Sequence, residues 1–187
     1  MKRVCVKRSL PSYDRMPHAC ECGNHGFVGL TRGSVALVDV DDIGIIEGCF
    51  WFANKDSSRG VYARSNVIGG SITMHRLIAG PSEINEVVDH RNGDGLDNRR
   101  ANLRVCTAAE NNLNKRVAWG RSRFRGVSRS GNRWRFCIQF NHKKYRGDGF
   151  LTEELAAKAY DDLAIKLHGD FACTNQEMGR FNQDKVK

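Results

Sequence analysis

The chain has 187 residues, room for one ordinary domain or two small ones, and 30 Lys+Arg against 21 Asp+Glu give it a formal net charge of +9. The excess is local: residues 1–114 carry 14 basic against 13 acidic side chains, and residues 115–187 carry 16 against 8. A basic excess confined to one end is the footprint of a polyanion partner. There is no apolar run of the roughly 18–20 residues that a bilayer span takes and no apolar centre of about 7–15 residues in MKRVCVKRSL that would make it a secretory signal, so the expectation is a cytoplasmic protein with no membrane partner.

Residues 1–26 are polar, hold two of the three prolines and show no clean period, which predicts an irregular arm. The seven cysteines (5, 20, 22, 49, 106, 137 and 173) are an odd number without a regular framework and read as free thiols. Cys20, Cys22 and His25, with His18 and Cys5 nearby, have the chemistry of zinc ligands. C-x-C is not the usual zinc-knuckle spacing and no second pair follows, so structural zinc is not expected there.

Residues 27–118 form the next region. Short β-rich runs at Val35–Val40, Cys49–Ala53, Val61–Arg64 and Ile72–Met74 are separated by turn residues and predict a small antiparallel platform. Glu86–His90 reads as a strand, Asn92–Gly95 as turn, and Leu103–Cys106 as a second strand. Thr107-x-x-Glu110 has capping-box spacing and predicts a helix running to about Lys115-Arg116.

Beyond a junction near residues 117–122, residues 123–176 predict three strands, Arg123–Ser128, Arg133–Phe140 and His142–Arg146, and then a helix opened by Thr152. The middle strand alternates: Trp134, Phe136, Ile138 and Phe140 share one face, and Arg133, Arg135, Cys137 and Gln139 the other. Leu155, Ala156, Ala159, Tyr160, Leu163 and Leu167 recur at helical spacing, so the helix packs on the apolar sheet face and leaves a basic face open. Residues 177–187 are a tail.

Asp89, His90, Asn102 and Asn111 stand out chemically. A carboxylate and a carboxamide are oxygen donors for a hard divalent cation, and an imidazole titrating near neutrality can take a proton from water. His75, among apolar neighbours, reads as a packed structural residue. The stretch MHRLIAG, then VVDHRNGDGLDNRRANLRVCTAAENN (motif 74–116), resembles the HNH endonuclease family and its ββα-metal fold. The resemblance implies His90 as general base and Asp89 and Asn111 as ligands of one divalent cation, Mg²⁺ or else Mn²⁺. It implies that Asn102 pins the loop.

Residues 123–176 are similar to the AP2/ERF domain through Arg125-Gly126-Val127, the Trp-containing strand, Phe150-x-Thr152, Ala159-Tyr160-Asp161, Gly169 and Asn175. That likeness implies a sheet lying in the major groove, with Arg125, Arg129, Arg133, Arg135, Gln139, Lys144 and Arg146 as the expected DNA contacts. The sequence departs from the usual pattern at Ser128-Arg129-Ser130, at Cys137, and in a third strand one residue longer over 145–150.

The expectation is therefore an α+β protein: a β-rich region leading into an HNH core, then an AP2-like module. It would be a metal-dependent endonuclease of double-stranded DNA, homing-type and phage- or mobile-element-encoded, acting in the cytoplasm of a bacterial host. A double-strand break would take a homodimer or a second binding event. The alternative is a sequence-specific DNA-binding regulator with an inactive HNH core.

Overall fold

A computed structural model describes residues 16–56, 60–80, 83, 85–113 and 122–181. The chain divides into two compact units, residues 1–108 and 109–187. The mixture of small antiparallel sheets and short helices is an α+β architecture.

In the first unit, β1 (Pro17–Ala19), β2 (His25–Gly29) and β3 (Val35–Asp39) make an antiparallel sheet in that order. β1 and the start of β2 fall where an irregular arm was expected; the hairpin pairs Pro17 with Val28 and Ala19 with Gly26. A short helix α1 (Ile43–Ile46) leads to a second sheet, β4 (Trp51–Asp56), β5 (Gly60–Val67) and β6 (Gly70–Thr73). Val28, Leu30, Ala36, Val38, Ile46, Trp51, Ala63 and Met74 form the core with Ile78, Val88 and Leu103. Trp51 is fully buried, and its indole N–H donates to the Ile46 carbonyl at 3.0 Å, so its one polar atom is satisfied.

Met74 opens a helix, α2 (Met74–Ala79), rather than closing a strand. Gly80 ends it in the left-handed conformation (φ 58°), with its N–H on the Arg76 carbonyl at 3.0 Å. β7 (Glu86–His90) and β8 (Leu103–Thr107) then pair antiparallel, Asp89 opposite Arg104 and His90 opposite Leu103. Thr107 is the last residue of β8, and α3 (Ala108–Leu113) follows, all but its first residue belonging to the second unit; the expected end of that helix at 115–116 lies outside the described residues.

In the second unit, β9 (Val127–Ser130), β10 (Arg133–Phe140) and β11 (Lys143–Phe150) form an antiparallel sheet with β10 central. α4 (Glu153–His168) starts at Thr152, whose hydroxyl accepts from the Leu155 N–H at 3.3 Å, and Glu153 and Glu154 in its first turn suit the dipole. Phe124, Val127, Phe136, Ile138, Ala156, Ala157, Tyr160 and Ala164 pack between sheet and helix. The first strand begins at Val127, not Arg123. Before it, the Arg125 N–H donates to Asn175 Oδ1 at 2.6 Å, and Asn175 itself is held by Asp161 on α4. The extra residue of the third strand is absorbed by a β-bulge: Phe136 pairs with Gly147, but Trp134 pairs with Phe150.

Candidate active site

The loop joining β7 to β8, residues 91–102, is fixed by its own side chains. Asn92 Oδ1 accepts from the Asp94 N–H at 2.8 Å and Asp94 Oδ1 from the Leu96 N–H at 3.0 Å, two successive Asx turns. Asn102 is buried and ties the two ends together. Its Oδ1 accepts from the Asn92 N–H at 3.0 Å, and its Nδ2 donates to the Asp97 carbonyl at 2.7 Å and to Asn92 Oδ1 at 3.0 Å. Arg99 grips Asp97 with two bonds of 2.7 Å, and the Asp97 carboxyl titrates below its ordinary range because these contacts outweigh its burial. Arg100 reaches Asp42, and the backbone of Leu37 on β3 pairs with Leu96 and Asn98. A loop tied at so many points holds its neighbours as firmly as a strand would.

His90, only 4% exposed, ends β7. Its Nε2 lies 3.4 Å from Asn98 Oδ1, an acceptor, a contact that Nε2 makes when it carries the ring proton. Asn98 is fully buried and donates through Nδ2 to the Leu96 carbonyl at 3.1 Å, which fixes its orientation. The His90 ring stands edge-on to His75 at 4.9 Å between centroids and beside Tyr62 at 5.8 Å. Burial lowers the His90 pKa; the Asn98 bond and the carboxylates of Asp89, Asp94 and Asp97 oppose it. His75 is pushed down to about 3 by burial and then by His90 and Arg76. His75 is therefore neutral at pH 7, and the burial of His90 favours its neutral form, the one a general base needs.

Asp89 precedes His90 on the strand, so the two side chains leave on opposite faces. Asp89 is buried and paired with the equally buried Arg104, its Oδ2 accepting from Nε at 2.9 Å and Nη2 at 2.6 Å. Asn111 is half-buried on α3. Asp89 lies in the first unit and Asn111 in the second, and each offers an oxygen, one carboxylate and one carboxamide, of the kind a hard divalent cation takes. Asn98 and Arg104 are site neighbours that the sequence does not single out, and His75, expected as a packed structural residue, packs against His90 itself. For Asn98 and Arg104 the clue was pairing: an amide midway along the loop, and an arginine opposite Asp89 once the strands are in register.

Residues 73–113, which hold Asp89, His90, Asn102 and Asn111, match the HNH endonuclease family. Over 156 residues the chain is 30% identical to an uncharacterized HNH endonuclease of Acanthamoeba polyphaga mimivirus, covering 80% of this chain and 79% of that protein. The chain belongs to the HNH endonuclease family. This HNH protein is also 42% identical over 72 residues to an AP2-like ethylene-responsive transcription factor of Arabidopsis thaliana, which is 36% of this chain but 14% of that one. A second such factor, from Oryza sativa subsp. japonica, is 42% identical over 72 residues, 11% of its length. No solved structure matches the chain.

In the AP2-like sheet of this HNH protein, Arg133, Arg135, Gln139, Lys144 and Arg146 are exposed, and the pairings Cys137–Arg146 and Gln139–Lys144 put them on one face, away from α4. Arg129 is not with them. It pairs with Trp134, and its guanidinium lies 5.0 Å from the Trp134 ring centroid, on the apolar side of the sheet. Arg125 is half-buried, and its Nη2 donates to the Leu113 carbonyl at 3.0 Å. Cys20, Cys22 and His25 come together at the β1–β2 turn, all three ligand atoms within 4.8 Å of one another. Among the described residues no helix is long and apolar enough to cross a membrane.

Proposed function

We propose that the protein hydrolyses phosphodiester bonds of double-stranded DNA, with His90 as general base. The observation that carries this reading is the placement of His90: buried at the end of β7, its Nε2 3.4 Å from Asn98 Oδ1, on a loop that Asn102 ties closed. Water gives its proton to the His90 imidazole as its oxygen bonds to phosphorus, and the bond from phosphorus to the leaving sugar oxygen breaks. Asp89 and Asn111 would hold the divalent cation, Mg²⁺ or Mn²⁺. What that ion supplies when bound is neutralisation of charge on the phosphate and the departing oxygen.

The open sheet face with Arg133, Arg135, Gln139, Lys144 and Arg146 binds duplex DNA, the arginines and lysine chiefly through phosphates. A cutting unit joined to a separate DNA-reading module suits a homing-type enzyme of a phage or mobile element, working in the cytoplasm of its host. One copy of the site cuts one strand, so a double-strand break takes a second copy or a second binding event.

The Asp89–Arg104 ion pair favours one other reading, a DNA-binding regulator in which a guanidinium has taken the cation's place. Incubating supercoiled plasmid with the protein in Mg²⁺, in Mn²⁺ and in EDTA separates the two. Nicked or linear product that EDTA abolishes supports the nuclease; shifted but uncut plasmid under all three conditions supports the regulator.

A further inference from the structure

The β1–β2 hairpin carries a group of side chains that DNA hydrolysis does not use. Cys20, Cys22 and His25 are all half-buried, and their ligand atoms lie within 4.8 Å of one another. Cys22 Sγ is 3.3 Å from His25 Nδ1. A tetrahedral zinc ion, with bonds of about 2.3 Å to sulfur and 2.0–2.1 Å to nitrogen, sets those two donors roughly 3.6 Å apart. The hairpin thus holds the pair close to the separation that a shared ion requires.

The backbone explains how C-x-C reaches this arrangement. The Cys20 N–H donates to the His25 carbonyl at 2.7 Å, and the Gly23 N–H to the Cys20 carbonyl at 2.9 Å. Gly23 takes φ 74°, a conformation that suits glycine and turns the chain back on itself. His25 is thereby brought beside the two thiols, where a sequence spacing rule for flatter knuckles does not look. The His25 ring is also braced edge-on against Phe27, 5.0 Å away. Among the described residues this is the one place where three Cys, His, Asp or Glu ligand atoms converge.

We infer that Cys20, Cys22 and His25 bind one zinc ion, with solvent in the remaining position. Two thiolates and an imidazole are soft and borderline donors, which select zinc over the hard cations that a carboxylate–carboxamide pair takes. Such an ion ties the three-residue strand β1 to β2.

The test is metal content by native mass spectrometry of the full chain, reduced and purified without chelator. One zinc per chain is expected in the wild type and in Asp89→Ala, and none in Cys22→Ser or His25→Ala. If the ligand variants do not fold, cobalt reconstitution of the wild type decides the matter, since tetrahedral thiolate ligation gives intense visible bands and a sulfur-to-cobalt charge-transfer band. Wild-type protein that holds no zinc and gives no such bands overturns the inference. So does zinc that persists in folded Cys22→Ser or that disappears in Asp89→Ala.

Discussion

The imidazoles of His75 and His90 meet edge to face, centroids 4.9 Å apart at 81°, although they lie fifteen positions apart in the chain. His75 is anchored by a contact of 3.1 Å between its Nε2 and the Thr73 hydroxyl. It forms a wall that keeps the His90 ring in the plane set by Asn98. His75→Ala removes that wall and should lower the cleavage rate roughly 10- to 100-fold, the usual penalty for a misplaced catalytic group. His75→Phe, which keeps a ring there, should retain most of the rate, and DNA affinity should be unchanged in both. Single-turnover cleavage alongside a binding titration checks this, and an alanine variant cutting at the wild-type rate contradicts it.

The same rings make stability depend on pH. In the unfolded chain His75 takes a proton below about pH 6.5, whereas in the folded protein it stays neutral down to about 3. The unfolded state therefore binds more protons between these limits. Stability is complete above the unfolded pKa and is lost as pH falls through this window, by at most about 1.4 kcal/mol per pH unit for each such histidine. His90, also lowered, acts in the same direction. Urea unfolding in chelator from about pH 7 to about pH 5 should show the decline, and His75→Phe should flatten it. An unaltered slope in that variant would assign the acid sensitivity to other groups.

The register of the β9–β10–β11 sheet separates residues that a list of basic side chains does not. Arg133→Gln, Arg135→Gln, Lys144→Gln and Arg146→Gln lie on the open face. Each should weaken DNA binding and reduce the slope of log affinity against log salt by about one if the charge neutralises a phosphate. Arg129→Gln, behind the sheet with Trp134, should change that slope far less. Titrations at several salt concentrations decide it, and a dominant effect of Arg129 would show that the wrong face has been chosen.

Gly126 is pinned between strand and helix. Its φ is +71°, its carbonyl accepts from the Cys137 N–H at 2.8 Å, and an added Cβ would run into the Tyr160 ring. Gly126→Ala combines backbone strain with overpacking and should destabilise the second unit by about 1–3 kcal/mol or more. Gly131, also at positive φ (+59°) but with open space around it, should lose only about 1 kcal/mol as alanine. Thermal melts of both variants test the ranking; equal losses would refute the packing argument.

Elements with a strong local period were legible from sequence. Arg133–Phe140 alternates over eight residues and forms a strand with those bounds, as Glu86–His90 does. MHRLIA makes under two helical turns, too few for its period to show, so Met74 read as the end of a strand. The partners of His90 and Asp89 were hidden for another reason. Tyr62, His75, Asn98 and Arg104 reach the site from four separate segments, and only strand register and loop closure bring them there. That Arg129 stands beside Trp134 likewise shows only once the strands are in register. Spacing in Cys20-x-Cys22 said little because one left-handed glycine, Gly23, decides where His25 lies.

The central claim is that His90 removes the proton from water. Comparing the wild type with His90→Ala, for plasmid cleavage in Mg²⁺ and for binding to the same DNA, tests it most directly. The predicted result is unchanged binding with cleavage lost, by at least about 10²-fold as befits removal of a general base. Cutting by His90→Ala at the wild-type rate would contradict it.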